Sequence, residues 1–137
     1  MSASRDQNLE AQQRLGQILA DRDAEALREV FHEDVVDHDP GPDQAPGVQG
    51  IVDFWTEMFT AFPDLEAEPQ TIVADDDQVT VVIEITGTNT GPFQGHEPTG
   101  KSFHTRGIQV GRFEDGRLVE RWGATDQAGM MEQLGLA

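Results

Sequence analysis

The chain has 137 residues, enough for one domain with one core, and no Cys, which excludes disulfides, zinc–thiolate sites and thiol catalysis. Its 26 Asp and Glu against 9 Lys and Arg give a formal charge of -17, which repels nucleic acid and anionic membranes. With 36% apolar residues in periodic segments the chain is expected to fold, and its acidic, Lys-poor surface matches proteins of salt-loaded, halophilic cytoplasm.

In chain order, residues 6–20 carry Leu9, Leu15, Ile18 and Leu19 at helical spacing. Asp23 is placed to cap a second short helix, Ala24 to Phe31. A short extended piece, Val35 to His38, follows. The Pro- and Gly-rich stretch Asp39 to Gly47 then reads as a loop. Residues 48–62 form a third amphipathic helix, with Ile51, Phe54, Trp55, Met58, Phe59 and Phe62 on a broad apolar face and Pro63 as its stop.

From residue 65 the period becomes two. Leu65 to Val73 is a strand, Asp75-Asp76-Asp77 a turn, and Gln78 to Thr88 a long alternating strand. A Gly- and Pro-rich connection leads to strands Phe103 to Phe113 and Leu118 to Trp122, joined by the turn Glu114-Asp115-Gly116. A last short helix, Gln127 to Leu134, closes the chain. Helices followed by an antiparallel sheet of four or more strands make an α+β plan in a single domain, residues 1–137. The N-terminus lacks a signal-peptide pattern and no run of 18 apolar residues exists, so a soluble cytoplasmic protein is the expectation.

Gly95 to Ser102 matches the phosphate-loop pattern G-x-x-x-x-G-K-S, but that motif needs a helix after it, and Phe103 to Val110 alternate like a strand. The stretch His32 to Asp43 is rich in metal-ligand types. Its two His are six apart, Pro40 and Pro42 interrupt any calcium loop, and no metal is expected. The serines lack a nucleophile elbow.

Acid–base residues remain: Asp126, His38, His104, Arg106, Arg112 and Glu120. Alternation puts His104, Arg106, Ile108, Val110 and Arg112 on one strand face and Leu118, Glu120 and Trp122 on one face of the next, with Asp126 in the same parity. An acid four residues after Trp122, at the end of an apolar hairpin strand, is well placed to face an enclosed pocket, where burial raises its pKa toward neutrality. It could equally be the N-cap of the terminal helix.

These residues sit in a recognisable setting. Phe62-Pro63-Asp64-Leu65, Gly87 to Gly95, Pro98-Thr99-Gly100-Lys101, Gly111 to Trp122 and Asp126 with Gln133-Leu134-Gly135 together resemble the SnoaL-like polyketide cyclases (ester cyclases) of the nuclear-transport-factor-2-like superfamily. The resemblance implies a cone-shaped α+β barrel, with about three N-terminal helices on a curved mixed or antiparallel sheet and a pocket at its open end. It implies ring closure of an aromatic polyketide ester by intramolecular aldol condensation, without metal or cofactor. It puts the general acid/base on Asp126 and a pocket residue on His38. Arg121 stands where the family often has a His.

The expected activity is therefore cofactor-free acid–base chemistry on a small hydrophobic carbonyl compound. Asp126 would move the proton, and His38 with His104 or Arg106 would hydrogen-bond the enolate. Phe54, Trp55, Met58, Phe59 and Trp122, with Arg112 and Glu120, would bind the substrate. An isomerase, a hydrolase or a non-catalytic binder on the same fold are the alternatives. The resemblance also implies a homodimer or higher homo-oligomer through the sheet, with Val82, Phe103 and Val119 on an apolar outer face.

Overall fold

The structure is a computed structural model and describes residues 3–136. Helix α1 (Ala3–Asp21) leads to a 3-10 helix (Ala24–Glu29), strand β1 (Phe31–Asp37) and helix α2 (Gly47–Ala61). Strands β2 (Glu66–Ala74), β3 (Gln78–Thr88), β4 (Ser102–Glu114) and β5 (Arg117–Thr125) follow, then helix α3 (Gln127–Leu134). The five strands form one sheet in the order β1-β5-β4-β3-β2. The α+β plan with helices first is as the sequence predicts.

Local chemistry explains most boundaries. Phe62 donates its N–H to the Met58 carbonyl and Pro63 stops α2. The Asp75 carboxylate accepts from the N–H groups of Asp77 and Gln78 at 2.8 and 2.7 Å, so the acidic turn between β2 and β3 is an Asx-type turn. Those two bonds hold the Asp75 carboxyl below its ordinary range. Asp115 and Gly116 both have positive φ, 52° and 77°, as a tight hairpin turn of primed type needs.

Three expectations change. The second helix is 3-10 and ends at Glu29, because Phe31 is already the first residue of a longer β1. Strand β1 runs parallel to β5, with Asp37 opposite Arg121, so the antiparallel plan read from alternation becomes a mixed sheet, one of the two forms that the resemblance implies. Third, β4 and β5 slip register between Arg112 and Phe113, where Phe113 pairs with Leu118 and Arg112 with Glu120. The extra residue on β5 is Val119. Such a bulge reverses the alternation. Leu118 therefore faces the core while Glu120 and Trp122 face the opposite side, and the three do not share a face.

The helices cover one side of the sheet, its inner face. Phe103, Thr105, Gly107, Gln109, Gly111 and Phe113 of β4 turn that way, with Val79, Val81, Ile83 and Ile85 of β3 beside them in the register. One core cluster joins α1, the 3-10 helix, β1 and α2 around Ile18, Leu27, Phe31, Ile51, Phe113 and Leu118. A second joins the α2 end, the 89–101 loop and α3 around Phe62, Phe93, Phe103 and Leu134. Trp55 packs against both. Phe103 is thus a core residue, and its expected place on an apolar outer face is corrected.

The loop between β3 and β4 is organised by Asn89, which is fully buried. Its side chain donates to the Gly91 carbonyl at 2.8 Å and accepts from the Thr99 N–H at 2.9 Å. The N–H groups of Thr90 and Gly91 satisfy the Ala61 carbonyl at the end of α2. Gly95 to Ser102 therefore lies in a loop feeding a strand, with no helix N-terminus for a phosphate.

Candidate functional site

The sequence-derived site residues fall into three groups, separated by the sheet. The first is on α2. Phe54, Trp55, Met58 and Phe59 are all half-buried. Phe54 meets Trp55 edge to face at 5.4 Å, and Trp55 meets Phe59 at 5.8 Å. Facing α2 on the sheet, Ile83, Ile85, Gln109 and Arg121 are also only half-buried. Mid-sheet residues beneath a helix are ordinarily sealed. Their partial exposure marks a cleft between α2 and the sheet. Phe54 and Met58 also border a cavity of about 500 Å³ formed with Pro42, Asp43, Glu57, Phe93, Gln94 and Gly95.

The polar floor of this cleft was not among the predicted residues. Arg121 Nη1 donates to Asp37 Oδ1 at 2.5 Å and to the Asp39 carbonyl at 3.4 Å, and Nη2 donates to Gln109 Oε1. Asp37 Oδ2 accepts from Gln44 at 2.9 Å, and Gln44 accepts from the Gly41 N–H. Gly41 in turn lies against the Phe54 ring. The loop after β1 is thereby tied both to the ion pair and to α2. The side chains of Asp37 and Arg121 are 9% and 19% exposed. The inward turn of Arg121 is a product of the Val119 bulge.

The second group lies on the outer face, away from the helices. His38 stacks on Trp122 with ring centroids 4.8 Å apart and planes 8° apart. Its Nε2 is 2.6 Å from Glu120 Oε2, while Arg112 Nε donates to Glu120 Oε1 at 2.7 Å and Arg112 Nη1 to Glu114 at 2.8 Å. Arg112 first, and His38 second, hold the Glu120 carboxyl below its ordinary range, and Glu120 raises the Arg112 guanidinium. The register puts these side chains opposite the cleft, so Trp122, Arg112, Glu120 and His38 do not line it with the α2 aromatics.

The third group is a shallow groove of about 270 Å³ where Asp126, His104 and Arg106 meet Glu84 and Thr105. Arg106 donates to Glu84 at 3.1 Å, and His104 Nε2 lies 3.8 Å from the same carboxylate. Asp126 is exposed, not enclosed as expected, because the strand ends at Thr125 and the residue becomes the N-cap of α3. Its Oδ1 accepts from the Gly129 N–H at 2.9 Å. Among the described residues, no three His, Asp or Glu converge as a metal-binding group, and no helix is long and apolar enough to cross a membrane.

Comparison with known proteins agrees with this architecture. The crystal structure of wild-type IdmH from Streptomyces antibioticus, described as a candidate polyketide cyclase, superposes with a TM-score of 0.80 at 32% identity, covering 93% of this chain and 98% of that one. A candidate polyketide cyclase from Acidithiobacillus ferrooxidans gives 0.80 at 28% identity over 100% and 99%. A SnoaL-like protein from Jannaschia gives 0.88 at 24% over 100% and 97%, a likeness of fold. No protein of curated function matches the chain. The family model of SnoaL-like polyketide cyclases matches residues 9–134, and with a third of its residues shared with IdmH across nearly both full lengths, the chain belongs to the SnoaL-like polyketide cyclase family.

Proposed function

We propose that the protein is a cofactor-free acid–base enzyme of the cyclase type, closing a ring by aldol-type chemistry on a small hydrophobic carbonyl compound held between α2 and the sheet. The observation that carries this reading is the half-buried row Phe54, Trp55, Met58 and Phe59 facing Ile83 and Ile85 and the polar cluster Arg121, Asp37 and Gln109. An apolar cleft with a few convergent polar side chains is the usual form of a small-molecule site. The names of the structural relatives point to the same class of reaction.

Proton transfer is assigned to Asp126. Its support is the family pattern, since the groove that Asp126 shares with His104 and Arg106 lies apart from the α2 cleft. One oxygen of Asp126 is engaged by the Gly129 N–H, which leaves the other for a proton. A simple assay needs no natural substrate: exchange of the methyl protons of 2-acetylnaphthalene for deuterium, followed by proton NMR. The protein is expected to accelerate exchange over buffer, and Asp126→Asn is expected to abolish the acceleration. Full exchange by that variant sinks the assignment.

The second reading is a non-catalytic binder. The exposed, helix-capping place of Asp126 favours it, because a cap explains the residue without chemistry. That reading expects 2-acetylnaphthalene to bind with no exchange above buffer. Assembly through the outer sheet face belongs to the proposal too. Val36, Val73 and Ile108 are 51%, 66% and 45% exposed, and the pairing of their strands turns all three outward.

A further inference from the structure

We infer that Arg121 is the residue that binds the carbonyl oxygen of the ligand, with Asp37 and Gln109 as the residues that position it. The assignment rests on the cleft reading above, and it goes beyond it by naming the donor. A guanidinium has five N–H groups. Three bonds, to Asp37, to the Asp39 carbonyl and to Gln109, are made by described residues. Two N–H groups therefore have no partner among the described residues, on a side chain that is 19% exposed in the cleft.

The group is held in place before any ligand arrives. Asp37 grips one end of the guanidinium and Gln109 the other. A Cβ at Gly123 would overlap both Arg121 Nη2 and the Gln109 amide, so the guanidinium lies across the space that this glycine leaves. Asp37 is itself held by Gln44 and by the Asp39 N–H at 3.0 Å. A donor fixed on both sides pays little entropy on binding.

Charge decides which oxygen it suits. Asp37 already balances the Arg121 cation, and the whole chain carries -17. A free carboxylate ligand gains no net attraction in such a site. A neutral ketone or ester oxygen accepts the two N–H groups without that repulsion. The same bonds strengthen as enolisation puts negative charge on the oxygen, which is how a fixed donor favours a transition state over a ground state.

The experiment compares 2-acetylnaphthalene with 2-ethylnaphthalene, which has the same shape and no carbonyl, by titrating tryptophan fluorescence. A hydrogen bond from a charged donor is worth roughly a 10-fold to 100-fold preference for the ketone in the native protein. Arg121→Met is expected to bring the ratio near one while 2-ethylnaphthalene still binds. Arg121→Lys is expected to recover part of it. Because Arg121→Met strands the Asp37 carboxylate, the double variant Asp37→Asn/Arg121→Met serves as the folded control, and its hydrocarbon affinity verifies the cleft. A native ratio near one, or a ratio that survives the loss of Arg121, overturns the assignment and leaves the cleft intact. Failure of the native protein to bind either probe overturns the cleft reading and the assignment together.

Discussion

Asp126 has two physical claims on it, and they separate by substitution. Asn caps a helix about as well as Asp, whereas Ala loses about 1 kcal/mol of cap. Asp126→Asn is therefore expected to keep the native melting temperature, and Asp126→Ala to lower it by several degrees. If Asp126→Asn melts like the native protein and is inactive in deuterium exchange, the carboxylate acts in chemistry; equal activity in both leaves only the cap. At the same scale, Asp64 accepts the Thr88 N–H at 2.7 Å, and that bond is the first cause holding its carboxyl below the ordinary range. A depressed folded pKa adds stability above the unfolded value, near 4, and loses it as pH falls through the folded one. Asp64→Asn is expected to melt earlier than the native protein at pH 7. Their melting curves should converge in acid, and a constant difference from pH 7 to strong acid would refute the assignment. Single residues were also where the sequence said least. The Asp37–Arg121 pair joins positions 84 apart, and no local spacing announces it.

Elements were far more legible. Period-two alternation located β3 and β4, and the helical spacing of Ile51, Trp55, Met58 and Phe62 located α2 to within a residue or so. Parity within β4 was also readable, since His104, Arg106, Ile108, Val110 and Arg112 do share a face. Which way that face turns was not, because both faces of β4 mix polar and apolar side chains. The bulge at Val119 was invisible for a related reason. It comes from packing Leu118 inward after a tight turn, and alternation alone carries the wrong phase past it. This is why Trp122 was expected in the cleft and Arg121 was not. The packing itself gives a clear expectation. Phe62 is fully buried and meets Phe93 and Phe103 edge to face at 5.1 and 5.0 Å. Phe62→Ala is expected to cost about 3–5 kcal/mol in urea unfolding. A loss under about 1 kcal/mol would mean that the α2 end and the 89–101 loop are not packed as described.

At the scale of the whole molecule, charge and surface make separate predictions. A chain of charge -17 repels itself, and salt screens that repulsion over distances of about 10 Å at 0.1 M and about 3 Å at 1 M. Raising KCl to about 1 M is expected to raise the melting temperature, and insensitivity to salt would count against a halophilic adaptation. The outer sheet face is expected to pair two copies of the chain, so Ile108→Lys should shift sedimentation from dimer toward monomer with the fold unchanged. A native protein that sediments as a monomer at the same salt refutes that interface. The one parallel strand has a further consequence, in time instead of space. Strands β2, β3, β4 and β5 can zip in succession as the chain is made, but β1 must wait for a partner more than 80 residues downstream. Closing so long a loop is slow, so the edge β1–β5 is expected to be the last seam to form. Until β5 arrives, Asp37 has no Arg121, and the floor of the cleft lacks its cation. The proposed ligand site is thus completed by β5, and a chain without β5 would keep the α2 aromatics but lack Arg121 opposite them.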